Sequence, residues 1–134
     1  MLNQINQATT FIFVDYENCP NFGLEFLTDT NAELILMIGC KQLPPKASRL
    51  KDFRNKVQTI TLKKLRERGK NALDFCLSLE IGKLIEKSPE ANICILSNDH
   101  GFDPILQYAR RTATAEKHGR YMRISREASF CLAE

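Results

Sequence analysis

The sequence predicts an α/β fold in which helices cover both faces of a mostly parallel, five-stranded sheet, a three-layer α/β/α sandwich. Three observations lead there. The apolar runs Phe11–Val14, Glu33–Gly39 and Ile93–Leu96 are rich in aromatic and β-branched residues and largely lack the polar alternation of a half-solvated strand. Segments of helical length and pattern separate the strand-like runs, and that alternation implies parallel pairing through crossover helices. Finally, Asp15 closes the first apolar run and Asp99 follows Ile93–Leu96 after the two-residue step Ser97-Asn98. Ligands of such sheets bind outside the carboxyl ends of the strands, near the switch in strand order.

Element by element, Phe11–Val14 is the first strand. Phe22–Leu27 follows as a short helix, because Phe22, Leu24, Phe26 and Leu27 can share one face. Glu33–Gly39 is the second strand, ended by Gly, and Pro44-Pro45 breaks the chain before a short helix, Ala47–Phe53. Val57–Leu62 alternates imperfectly and forms the third strand. Asn71–Lys87 is the longest helix, stopped by Pro89. Ile93–Leu96 is the fourth strand, Pro104–Arg111 a helix with Pro in its first turn, and Tyr121–Ser125 a weaker fifth strand. Cys40–Lys46 and Thr112–Gly119 are the expected flexible loops.

At 134 residues the chain suits one domain, 1–134, with one core. No apolar run reaches the length of a membrane span, and Met1–Gln7 lacks the basic start and apolar stretch of a signal peptide. The expected location is the cytosol, with no membrane partner. Five cysteines, an odd number with no Cys-x-x-Cys pair, agree with a reducing compartment. The only histidines, His100 and His118, lack the spacing of paired zinc ligands.

The net charge is only +3, but its distribution is uneven. Residues 1–40 hold five acids and no Lys or Arg; all 19 basic residues lie beyond. The densest basic stretch contains Lys63, Lys64, Arg66, Arg68 and Lys70. A second holds Arg110, Arg111, Lys117, Arg120, Arg123 and Arg126. Basic groups flanking an acidic pocket suit a polyanion such as RNA. A solvated basic face is the plainer account of the same pattern.

Four acids carry the chemistry: Asp15, Asp74, Asp99 and Asp103. Carboxylates gathered at one sheet edge repel, and a divalent cation or retained protons must relieve them. Counted at 100° per residue from Ala72, Glu80, Lys83 and Lys87 form the solvent face of the long helix, and Asp74, Ser78, Ile81 and Ile85 face the core. A first-turn acid interacts well with the helix dipole, which accounts for its place along the helix but not for that side. Asn18 either caps a following helix or holds a phosphate or metal-bound water. Glu17 is a ligand or a loop acid. Asp103, followed by Pro104, suits an N-cap. Gly101 permits a tight turn returning Asp103 toward Asp99.

Taken together, Phe-Val-Asp-Tyr-Glu-Asn (13–18), Gly-Lys-Asn-Ala-Leu-Asp-Phe (69–75) and Ile-Leu-Ser-Asn-Asp-His-Gly-Phe-Asp-Pro (95–104) resemble the PIN-like and NYN nuclease superfamily, in its order and over roughly the whole chain. The resemblance implies a parallel sheet in the order 3-2-1-4-5 and a Mg²⁺- or Mn²⁺-dependent ribonuclease. It makes Asp15, Asp74, Asp99 and Asp103 the catalytic and metal-binding acids. Asn18, Ser97, Lys70 and Asn71 become their polar companions, with Lys63, Lys64, Arg66, Arg68 and Arg110 tracking the RNA. Tyr16 or Phe102 would be available to stack on a base. A homodimer or a regulatory partner protein stays open, with no interface signature in the sequence.

Two other classes compete. The same fold can act as a catalytically silent RNA- or protein-binding module. A phosphotransfer domain on a similar sheet fits less well. Leu62-Lys63-Lys64 stands where a receiver needs its phosphoacceptor, and Asp15-Tyr16-Glu17 stands where a dehalogenase-type phosphatase needs Asp-x-Asp.

Overall fold

A computed structural model describes residues 8–114 and 118–132; Met1–Gln7 and Lys117 lie outside them. One sheet is built from β1 (Thr10–Asp15), β2 (Ala32–Ile38), β3 (Thr59–Lys64), β4 (Asn92–Leu96) and β5 (Tyr121–Ile124). Its order is β3-β2-β1-β4-β5, and every neighbouring pair is parallel. The helices are α1 (Ala47–Phe53), α2 (Ala72–Lys87), α3 (Asp103–Thr112) and the short α4 (Arg126–Ser129), with a 3₁₀ turn at His100–Phe102. The chain leaves β1 for β2 on one side and returns to β4 on the other. The order therefore switches between β1 and β4, and a crevice opens there at the carboxyl edge.

Each face of the sheet has its own core. Ile12, Val14, Leu34, Leu36, Ile38, Cys94 and Leu96 face one side, under Phe22 and Leu24 and the α1 residues Leu50 and Phe53. Phe13, Ile35, Met37, Ile93 and Ile95 face the other, under Leu73, Leu77 and Ile81 of α2 and Leu106 of α3. Burying one such side chain contributes roughly 1.5–3 kcal/mol. A helix cap contributes about 1 kcal/mol. Packing decides the position of α2, whose N-cap residue Asn71 makes no side-chain capping bond.

Four sequence expectations need correction. Phe22–Leu27 is not a helix. The Arg49 guanidinium takes the carbonyls of Pro20 and Phe22, and the Gly23 amide donates to Ser129 Oγ at 2.9 Å, so these groups pair outside the segment. The apolar spacing is satisfied by a looped chain whose Phe22 ring stacks on Phe53 at 5.0 Å. The third strand begins at Thr59 rather than Val57, because Val57 turns into the α1-side core. On α2 the buried stripe is Leu73, Leu77 and Ile81; Asp74 and Ser78 lie half-buried on its margin, one position round from the expected phase. Glu80 is half-buried too, because Lys63 of the edge strand reaches it at 2.5 Å.

Candidate active site

Strand parity builds the centre of the site. Phe13 of β1 pairs with Ile95 of β4, and both point toward α2. Side chains two residues on point the same way, which sets Asp15 beside Ser97. Both are buried, at 3% and 0% exposure. Ser97 Oγ donates to Asp15 Oδ2 at 3.0 Å, and the Asn18 amide donates to Asp15 Oδ1 at 3.3 Å. Burial raises the Asp15 pKa to about 6 against these hydrogen bonds, and the nearby charges of Asp74 and Glu17 raise it further.

Asp74 reaches the same edge from the first turn of α2. Its carboxyl is also lifted above the ordinary range, by burial first and then by the charges of Asp99 and Glu17. Asp74 and Asp99 line one cleft together with Asn71, Phe75, Ser78, Gly101, Phe102 and Ile105. Asp99 is half-buried; its amide donates to Ser97 Oγ at 3.0 Å, and its Oδ1 accepts from the Gly101 amide at 2.8 Å. Gly101 has no positive φ; a Cβ there would stand 3.0 Å from Asp99 Oδ1, so the glycine gives that carboxylate room. Asp15 thus feels Asp74, Asp74 feels Asp99, and Glu17 acts on both Asp15 and Asp74.

Asp103 has a different setting. It is the first residue of α3 rather than its N-cap, and Pro104 is the second. Its Oδ1 accepts from Arg123 Nε at 2.7 Å, and Oδ2 lies 3.2 Å from His100 Nδ1. Arg123 first, and His100 second, hold its pKa below the usual carboxylate range.

Asn18 caps no helix. Its Oδ1 accepts from the Asn98 amide at 2.8 Å, and Asn98 Oδ1 accepts from the Arg126 amide at 2.8 Å. The loops after β1, β4 and β5 are thereby tied in series. Asn71 adopts the left-handed conformation at φ 65°, one that Asn tolerates better than most residues.

The basic candidates divide. Arg66, Arg68 and Lys70 are exposed, and their side chains make no ion pair with a described residue. Lys63 is held by Glu80, Lys64 donates to the Gln42 carbonyl at 2.5 Å, and Arg110 donates to the Tyr121 carbonyl at 2.5 Å. Tyr16 and Phe102 are buried at 7% and 2% exposure, so both are packing residues. Phe75, exposed at the cleft, is the aromatic ring beside the acids. Sequence reasoning left Glu17 undecided and treated Arg123 as one basic residue among several. The closeness of Glu17 to Asp15 was the available signal for the first, and nothing local marked the second.

Several carboxylates in mutual repulsion form a donor set that fits a hard cation. Among the described residues, however, no three His, Cys, Asp or Glu side chains are spaced to grip one ion directly. The fit is to an ion such as Mg²⁺ that keeps several waters and takes one or two carboxylates.

No curated protein and no solved structure matches the chain. The PIN domain family model matches residues 9–119, from the residue before β1 to the approach to β5. On that span of sequence the chain belongs to the PIN domain family.

Proposed function

We propose that this chain is a Mg²⁺- or Mn²⁺-dependent ribonuclease that hydrolyses RNA phosphodiester bonds at the edge shared by Asp15, Asp74 and Asp99. PIN domains are in general nucleases and commonly bind RNA. The observation that carries the reading is a chain of acids from β1, α2 and the β4 loop: burial and the charge of Asp74 raise Asp15, and burial and the charge of Asp99 raise Asp74. The narrower NYN affiliation rests on the runs 13–18 and 95–104 and belongs to the same proposal.

Asp15, Asp74 and Asp99 would hold the ion, in part through its waters. When bound, it would supply an acidified water and charge stabilisation at the scissile phosphate. The chain's own residues do the rest. Ser97 and the Asn18 amide each fix one oxygen of the Asp15 carboxylate, and Asp74 and Asp99 line the cleft in which a phosphate would sit. Lys70, Arg66 and Arg68 attract the flanking phosphates through long-range charge. Phe75 offers a ring face to an unpaired base.

The competing reading is a binding module without turnover, favoured by the engagement of Asp103 with Arg123 and by the wide spacing of the acids. Labelled single-stranded RNA with Mn²⁺, with and without chelator, separates the two. The ribonuclease reading expects chelator-sensitive cleavage, abolished in Asp15→Asn and Asp99→Asn with the circular dichroism spectrum preserved. Retained RNA with unaltered binding in all three proteins would establish the module instead. A parallel DNA strand tests the choice of RNA.

A further inference from the structure

We propose that Arg123 is a positioning residue for the acid edge, an assignment that rests on the hydrolytic reading above. Arg123 lies on β5 opposite Ile95 of β4, and its side chain is only 12% exposed. Its guanidinium touches Ser97 just after β4, His100 of the 3₁₀ turn and Asp103, the first residue of α3. Nε donates to Asp103 Oδ1 at 2.7 Å, Nη1 donates to the Ser97 carbonyl at 2.9 Å, and Nη2 lies 2.9 Å from His100 Nδ1 and 3.4 Å from Asp103 Oδ2.

Ser97 makes this a matter of chemistry as well as packing. The same residue donates its hydroxyl to Asp15 and accepts the amide of Asp99 at 3.0 Å each. Holding the Ser97 carbonyl therefore orients the peptide from which both acids are set. Asp103 braces the guanidinium from the far side, so its carboxylate acts through Arg123. Three planar donor nitrogens in fixed geometry are needed to reach a carbonyl and a carboxylate at once. A lysine ammonium can satisfy one partner but not that fork.

The test compares wild type, Arg123→Met, Arg123→Lys, Asp103→Asn and the Asp103→Asn/Arg123→Met double variant. It reads kcat and KM on RNA, Mn²⁺ affinity by calorimetry, the thermal midpoint, and the NMR shift of the Asp99 amide. A misplacement on the order of 1 Å can reduce rate about a hundredfold. Arg123→Met is expected to lose about tenfold to a hundredfold in kcat with little change in KM, to bind Mn²⁺ more weakly, and to shift the Asp99 amide. Arg123→Lys should recover less than half of the loss on a logarithmic scale, and the double variant should be no worse than the poorer single one. The proposal is overturned if active wild type and Arg123→Met share the same kcat, Mn²⁺ affinity and Asp99 shift. It is overturned equally if Asp103→Asn costs the same factor with and without Arg123, which would make Asp103 an independent ligand. If wild type cuts no RNA, the hydrolytic reading fails separately. The Asp99 shift and Mn²⁺ affinity then decide whether Arg123 still sets the acids.

Discussion

Ser97 donates its hydroxyl hydrogen to Asp15 across 3.0 Å, joining the ends of two parallel strands through a bond that is entirely buried. The carboxylate it holds titrates at about 6, against an ordinary 3.8, because burial outweighs the bond. A folded-state pKa above the unfolded one means that the folded chain binds the proton more tightly. That contribution to stability is complete below about pH 4 and is lost as pH rises through 6. A shift of about two units corresponds to about 3 kcal/mol. Asp15→Asn should therefore raise the thermal midpoint at pH 8 in the absence of metal, with the gain gone by pH 4. Melting curves across that range check it, and Ser97→Ala should move the Asp15 titration still higher.

Divalent metal should reverse this cost. Any ion bound only by the folded chain stabilises it by mass action, about 2.7 kcal/mol at a hundred times its Kd. Protons compete for the same carboxylates. The thermal shift produced by Mn²⁺ should grow from pH 5 to pH 8, vanish with chelator, and be lost in Asp15→Asn and Asp99→Asn. Thermal denaturation at fixed Mn²⁺ and varied pH measures it.

The basic residues should separate by their existing contacts. Arg66→Ala, Arg68→Ala and Lys70→Ala should each weaken RNA binding about equally across sequences and reduce the salt slope by about 1. Arg110→Ala removes a donor from the Tyr121 carbonyl, so it should lower the melting temperature with little change in salt slope. Binding titrations at several salt concentrations, paired with melts, distinguish the two outcomes.

Two glycines offer a contrast in rigidity. A Cβ on Gly119 would come 1.7 Å from the Ala91 carbonyl oxygen, which is backbone and cannot swing aside. A Cβ on Gly39 would come 1.9 Å from Glu17 Oε2, the tip of a flexible side chain. Gly119→Ala should therefore destabilise by about 1–3 kcal/mol, the usual cost of overpacking. Gly39→Ala should melt closer to wild type while driving Glu17 from its place, which Mn²⁺ titration of that variant would register.

The sheet was legible because β1, β2 and β4 are buried on both faces, and their apolar runs leave little else for those segments to be. Asp15 and Asp99 were legible for the same reason, since the ends of such strands can be counted. The edge was harder. β3 is mostly exposed, so its apolar pattern carried no strong phase and its start was misplaced by two residues. Phe22–Leu27 failed because its apolar spacing was real but the Phe22 carbonyl binds Arg49, 27 residues away. The environment of Asp103 was hidden similarly. Its partner Arg123 lies 20 residues on, across a strand pairing that no local pattern announces.

Asn98 gives the acid edge a cooperative character. Its amide donates to Asn18 while its side chain accepts from Arg126, so hydrogen bonds link the turns after β1 and β4 to the start of α4. Local unfolding of one should draw in the other two, so the carboxylates breathe together as a single foldon rather than as three loops. An Asn98→Ala chain would keep its strands and lose that synchrony, with opening events at residue 126 no longer tracking those at residue 18.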